Sequence, residues 1–262
     1  MYQSITVEKQ GHLTTICINR PAAMNALDPQ AHHELDRAFN EFAADTDAFV
    51  AVLTATGSEA FCVGNDLKYQ QQHGADAILE ALKRTKGGFG GITHRHDCFK
   101  PIIAAVNGVA LGGGTEIALA CDIIIAADNA KFGLPEPRVG LYAGMGGLHR
   151  LARQAPYHWA MGYALTGRSF SAAEALRVGL INDVVPAAEL RGTAERWAND
   201  ILQCAPLAVQ ASKQLILDGG DFPLHLAMTH DYSLVPAVMK SDDMKEGVKA
   251  FVEKRKPQWK GR

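Results

Sequence analysis

Ala104-Ala105-Val106-Asn107-Gly108-Val109-Ala110-Leu111-Gly112-Gly113-Gly114-Thr115-Glu116-Ile117-Ala118-Leu119-Ala120 carries an apolar strand-like run into a glycine turn and opens a helix at three successive glycines. Glycines in a helix interior cost about 0.5–1 kcal/mol each relative to alanine, so close approach of the backbone to something else is the expected compensation. Unbonded N–H groups at a helix start attract negative charge, either a phosphate or a carbonyl oxygen that becomes an oxyanion. The phosphate loop requires Gly-Lys followed by Ser or Thr; here Thr115-Glu116 follows the glycines, and an acid in the first turn repels phosphate. The oxyanion is favoured. Tight helix-to-sheet packing is the competing reason for the glycines.

Outward from this stretch, residues 49–55 and 123–127 repeat the short apolar run of 102–106, with helical stretches between, which predicts a mostly parallel, layered α/β core. Residues 3–8 and 13–18 are β-branched around Gln10-Gly11 and predict a hairpin, the N-terminal eight residues reading as strand. Asp28-Pro29 has the form of an N-cap and a first-turn proline, opening a helix to about Ala44 with Leu35, Ala38, Phe39 and Phe42 on one face. Residues 67–99 are more polar and less regular. Ser171-Ala172-Ala173-Glu174 matches a capping box. Beyond about residue 190 only helices are expected, at 193–204, 206–218, 222–239 and 242–254. The division is thus an α/β core over 1–190 and a helical region over 191–262, whose basic end is a solvated tail or a phosphate-facing edge.

The 262 residues are 47% apolar, which rules out disorder and small disulfide scaffolds. With 26 basic and 28 acidic residues the formal charge is -2, so no whole-chain field attracts polyanions, and any phosphate recognition must be local. Five cysteines, with no CxxC pair, suit a reduced compartment. With no signal-peptide pattern and no apolar run near the roughly 20 residues that span a bilayer, the expected location is the cytoplasm, or the mitochondrial matrix had a leader been removed.

Two more segments could carry chemistry. Ala60-Phe61-Cys62-Val63-Gly64-Asn65-Asp66-Leu67-Lys68 links an apolar run to a helix start and offers an N–H from Gly64 or Asn65, or is only a structural turn. In Phe132-Gly133-Leu134-Pro135-Glu136-Pro137-Arg138 a glutamate stands between two prolines on stiff backbone, suited to a catalytic carboxylate or to a plain surface loop. No GxSxG elbow or HExxH occurs, and His94-Arg95-His96-Asp97 lacks a ligand pair at helical spacing. His32 and His33 read as surface or core-edge residues, and Cys62 as a buried small hydrophobe.

In this order, the segments resemble the crotonase superfamily, the enoyl-CoA hydratases and isomerases. The match runs from Asn19-Arg20-Pro21-Ala22-Ala23-Met24-Asn25-Ala26-Leu27 through the three segments, Thr166-Gly167-Arg168 and Gly179-Leu180-Ile181 to Ala250-Phe251-Val252-Glu253-Lys254-Arg255. The resemblance implies repeated ββα units with a helical C-terminal region, assembly as homotrimers or dimers of trimers, and an acyl-CoA substrate. It implies that the N–H groups of Asn65 and Gly113 bind the thioester oxygen and that Glu116 and Glu136 are the catalytic pair of a hydratase. Ala23, Met24, Asp66, Leu67 and Lys68 match positions lining the CoA groove, and basic residues around Lys254 would help from a neighbouring subunit. No cofactor beyond the CoA of the substrate, no metal, no nucleic acid and no membrane is implied. Two departures, Tyr142-Ala143-Gly144 where many hydratases have Ile-Pro-Gly and Asn65 where alanine or glycine is usual, fall near the acyl site and point away from a straight-chain acyl group. A Δ3,Δ2-enoyl-CoA isomerase, a dehydratase of a functionalised acyl-CoA and a non-catalytic RNA-binding or scaffold member are the competing readings.

Overall fold

The computed structural model describes residues 2–262; Met1, at the head of the expected N-terminal strand, lies outside them. Ten strands form two sheets: β1 (Ile5–Gln10), β2 (Leu13–Ile18), β3 (Val50–Ala55), β4 (Ala60–Cys62), β5 (Ile102–Val106), β6 (Val109–Leu111), β7 (Ile123–Ala127), β8 (Lys131–Gly133), β9 (Ser169–Ser171) and β10 (Asp183–Val185). The larger sheet runs β1-β2-β3-β5-β7-β10 and the smaller β4-β6-β8-β9. Among the described residues two pairings are antiparallel, β1 with β2 and β8 with β9; the others are parallel. The hairpin is in place, but β1 starts at Ile5 rather than residue 3, because the Glu34 carboxylate takes the N–H groups of Gln3 and Ser4 at 2.8 and 2.7 Å.

Strands β3, β5 and β7 each leave the larger sheet, turn and re-enter the smaller one as β4, β6 and β8. Asn25 and Asn107 stitch these turns: the Asn25 amide donates to Ala60 O at 2.7 Å, and that of Asn107 to Gly57 O at 2.7 Å. Alternation along β5 explains its unbroken apolar sequence. Ile102, Ala104 and Val106 join the main core with α1 (Pro29–Ala44), while Ile103 and Ala105 join a second cluster with Leu190, Ala194 and Ala198 of a C-terminal helix. Both faces are covered, so no polar alternation is needed.

Helix α1 begins as expected: the Asp28 side chain accepts from Ala31 N–H at 2.8 Å, and Leu35, Ala38, Phe39 and Phe42 are buried. The polar stretch after Asp66 contains α2 (Leu67–His73), α3 (Ala75–Lys83) and a short turn at Phe89–Gly91. Then come α4 (Gly113–Leu119), α5 (Gly147–Gln154), α6 (Tyr157–Thr166) and α7 (Ala172–Arg177), the last opened by the Ser171 to Glu174 capping box.

Helix α8 (Leu190–Leu202), at the expected division of the chain, lies on the larger sheet; α9 (Pro206–Gly219) follows. The single helix expected over 222–239 is instead broken into α10 (Leu224–Ala227) and α11 (Val235–Lys240). Between them Leu234 N–H donates to the Gln214 side chain at 2.9 Å and Tyr232 Oη to Ala227 O at 2.8 Å, so backbone groups are taken by distant side chains rather than by a helix. The last helix, α12 (Asp242–Val252), holds the chain end: the buried Asp243 carboxylate accepts from Lys260 and Gly261 N–H at 2.7 and 2.8 Å. No described helix is long and apolar enough to cross a membrane.

Candidate active site

Two glycine turns meet at the start of α4. A Cβ on Gly64 would lie 3.2 Å from Gly113 N, and one on Gly114 would lie 1.9 Å from Cys62 O, so the helix rests directly on the backbone leaving β4. Packing therefore explains Gly114. Gly113 is different, since its N–H is the first of the helix and has no acceptor within it. Across the turn, Leu27 and Asn65 form an isolated parallel bridge. That bridge uses Leu27 N–H to Gly64 O (2.8 Å) and Asp66 N–H to Leu27 O (2.9 Å), which leaves Asn65 N–H outside the ladder. Both positions expected to donate thus carry N–H groups unpaired among the described residues.

The two glutamates converge on this place. Glu116, in the first turn of α4 and 3% exposed, has Oε1 fixed by the N–H groups of Met145 and Gly147 at 2.8 and 2.9 Å. Its Oε2 makes no hydrogen bond to the described residues. Glu136 opens a short turn between Pro135 and Pro137, and its Oε1 lies against the N-cap of α4: a Cβ on Gly112 would be 2.7 Å away. Glu136 Oε2 is buried without a hydrogen-bond partner among the described residues. A buried carboxylate oxygen with no partner is uncommon and needs a reason.

Burial raises Glu116 to about 7, against the pull of the two N–H donors and reinforced by the charge of Glu136; burial raises Glu136 as well. The sign of the stability effect follows. A carboxyl moved from 4.5 to about 7 burdens the folded state only when ionised, so stability is lost as pH rises through that window. Glu116→Gln keeps an acceptor for both N–H groups and removes the ionisation. Urea unfolding should show no gain at pH 4 and up to about 3 kcal/mol at pH 8; equal stability at pH 8 would contradict this burial cost.

The remaining expected residues lie around this centre. Ala23 and Met24 lie on the turn after Arg20, and Asp66 caps α2, followed by exposed Leu67 and Lys68. Arg20 joins the two segments, with Nη2 2.8 Å from Asp28 and 3.0 Å from Asp66. Tyr142 is exposed and borders an apolar cavity of about 340 Å³ with Leu134, Ala143, Leu148 and Met161. The basic C-terminal stretch is partly engaged within the chain, since Arg255 pairs with Glu246 and Glu253. Cys62 is buried, which pushes its thiol up to about 12 and leaves it unreactive.

Other residues of the site had no sequence signal of their own. Met145 and Gly147 act through backbone N–H groups. Arg150, partly buried near Glu116, donates to Thr93 O at 2.8 Å. His32 is fully buried rather than at the surface or core edge, with Nε2 3.2 Å from the Asn65 side-chain oxygen. Its burial follows from its place on the apolar stripe of α1.

A sequence profile described as Enoyl-CoA hydratase/isomerase matches residues 8–262. (E)-benzylidenesuccinyl-CoA hydratase of Thauera aromatica is 42% identical, over 98% of this chain and 99% of that protein. Carnitinyl-CoA dehydratase of Proteus mirabilis is 41% identical over the full length of both. Among solved structures, an enoyl-CoA hydratase from Mycobacterium tuberculosis superposes with a TM-score of 0.91 at 38% identity, covering 99% of each chain.

Proposed function

Because the chain belongs to the enoyl-CoA hydratase/isomerase family, we propose that it adds water reversibly across the 2,3 double bond of an enoyl-CoA thioester. The observation that carries this reading is the convergence of Glu116 and Glu136 beside the unpaired N–H groups of Asn65 and Gly113. Attack of water at C3 moves the π electrons onto the thioester oxygen, giving an enolate that the two N–H groups stabilise. Glu116, pinned through Oε1, offers Oε2 to orient the water and take its proton. Glu136, beside the oxyanion donors, delivers a proton to C2. One proton is removed and one supplied, so the carboxyl pair holds the same number before and after; dehydration is the reverse. The reaction needs no cofactor beyond the CoA of the substrate.

An isomerase shuttling a proton needs mainly one carboxylate, so the converging pair favours the hydro-lyase. Dehydration of a functionalised acyl-CoA fits the same pair run backwards, and the relatives named hydratase and dehydratase support either direction. Purified protein given short 2-enoyl-CoA esters should remove the conjugated thioester absorbance and yield 3-hydroxyacyl-CoA. No turnover across a panel of chain lengths and substituents would overturn the reading.

The CoA moiety would lie along Ala23, Met24, Asp66, Leu67 and Lys68, with the Lys68 ammonium, in no ion pair among the described residues, available to a phosphate. Arg20 clamps the two walls of that groove. Arg20→Leu is expected to raise KM about three- to tenfold while kcat changes less than about twofold, as loss of uniform binding should; steady-state kinetics checks this, and an equal fall in kcat would refute it. Exposed Ile216, Leu224, Met228, Met239, Val248 and Phe251 on α9–α12 are suited to burial between subunits and support assembly as a trimer or a dimer of trimers. A reduced, cytoplasmic setting suits the five unpaired cysteines.

A further inference from the structure

The core histidine found beneath the oxyanion turn has a definite proton arrangement. His32 Nδ1 accepts from Gly90 N–H at 3.2 Å, so in the neutral ring the proton must sit on Nε2. Nε2 lies 3.2 Å from Asn65 Oδ1, and a flipped amide would set two donors against each other. Asn65 is therefore held with its oxygen toward His32 and its NH2 group turned away, with no acceptor among the described residues. The ring stays neutral because burial lowers its pKa to about 4.

The neighbours of Asn65 belong to the site. His32 meets the Phe89 ring edge-on, centroids 4.6 Å apart, and Phe89 lies against Gly113, where a Cβ would come within 2.3 Å of the ring. Asp66 turns the other way, to Arg20 and the first N–H groups of α2 at the CoA groove. Asn65 is half-buried, and its backbone N–H is the one assigned above to the thioester oxygen.

We propose that His32 is a positioning residue that aims the Asn65 amide NH2 at the acyl group, and that this donor selects an acyl chain carrying a hydrogen-bond acceptor. The proposal rests on the hydro-lyase reading and names the substrate class within it. A donor left unpaired beside a purely aliphatic chain disfavours that chain, because its bonds to water are lost without replacement.

The test compares equilibrium binding of butyryl-CoA with that of acetoacetyl-CoA and succinyl-CoA, of equal carbon number but with an acceptor at different positions. The wild type should prefer at least one acceptor-bearing ester by about tenfold. Asn65→Ala and His32→Leu should each erase most of that preference, and His32→Gln, which keeps an N–H near the place of Nε2, should retain it. Nitrogen-resolved NMR of the His32 ring should report the proton on Nε2. Binding of all three esters without preference, a preference untouched by Asn65→Ala, or a proton on Nδ1 overturns the proposal alone. Failure to bind any CoA ester overturns the hydro-lyase reading and this proposal with it. Should His32→Leu not fold, Asn65→Ala decides.

Discussion

Glu136→Gln is expected to lower kcat for hydration by about 10²–10⁴-fold, the range for losing a positioned general acid. The glutamine fills the same space beside Gly112, so fold and binding should persist, with KM within a few-fold of wild type. What disappears is the proton that must reach C2. Oε2 makes the case sharp, since no side chain of the described residues is bonded there to relay a proton in its place. Glu116→Gln should cost a comparable factor in hydration, because an amide cannot take the proton from water. The two variants together discriminate between chemistries. In a simple isomerase Glu116→Gln would be tolerated, so hydration and double-bond migration should be followed separately in each variant. Full hydratase activity in either variant would be incompatible with the proposed roles.

Gly113→Ala is expected to lower kcat/KM by about 10²–10³-fold, the loss found when one oxyanion donor is removed from comparable sites. An alanine Cβ at this position would lie 2.3 Å from the Phe89 ring, far inside contact distance. Phe89 is buried, so either the ring or the start of α4 must move, and moving the helix displaces the Gly113 N–H. Phe89→Leu in the same chain removes the far ring atoms and should restore part of the activity. Measured kcat/KM for the two single variants and the double variant forms a thermodynamic cycle, in which strong coupling identifies the collision as the cause. Additive losses would show that Gly113 matters for another reason.

Much of the framework was legible because burial writes itself into side-chain type. The runs 102–106 and 123–127 match β5 and β7 residue for residue, and the Asp28 cap and the end at Ala44 fix α1. Both competing explanations of the triple glycine have a place: Gly114 is a packing glycine, while Gly113 brings an unpaired N–H to the site. What was not legible lies in backbone donors and distant partners. The N–H groups of Met145 and Gly147 that hold Glu116 carry no side-chain signature, and the break between α10 and α11 depends on Gln214, twenty residues before Leu234. His32 could have been placed, since 32, 35, 39 and 42 follow one helical stripe; its polar identity obscured a regular position. The CoA-groove residues were named only through the family resemblance.

The single bridge between Leu27 and Asn65 has a consequence for solvent deuterium. Leu27 and Asp66 amides are locked in its two hydrogen bonds, whereas the amide between them in space, that of Asn65, is left out. In the ligand-free protein the Asn65 and Gly113 amides should therefore trade their protons much faster than Leu27 and Asp66, although all four lie where the same two turns meet. A bound thioester should slow those two amides selectively, so that isotope uptake reports occupancy of the site without any turnover.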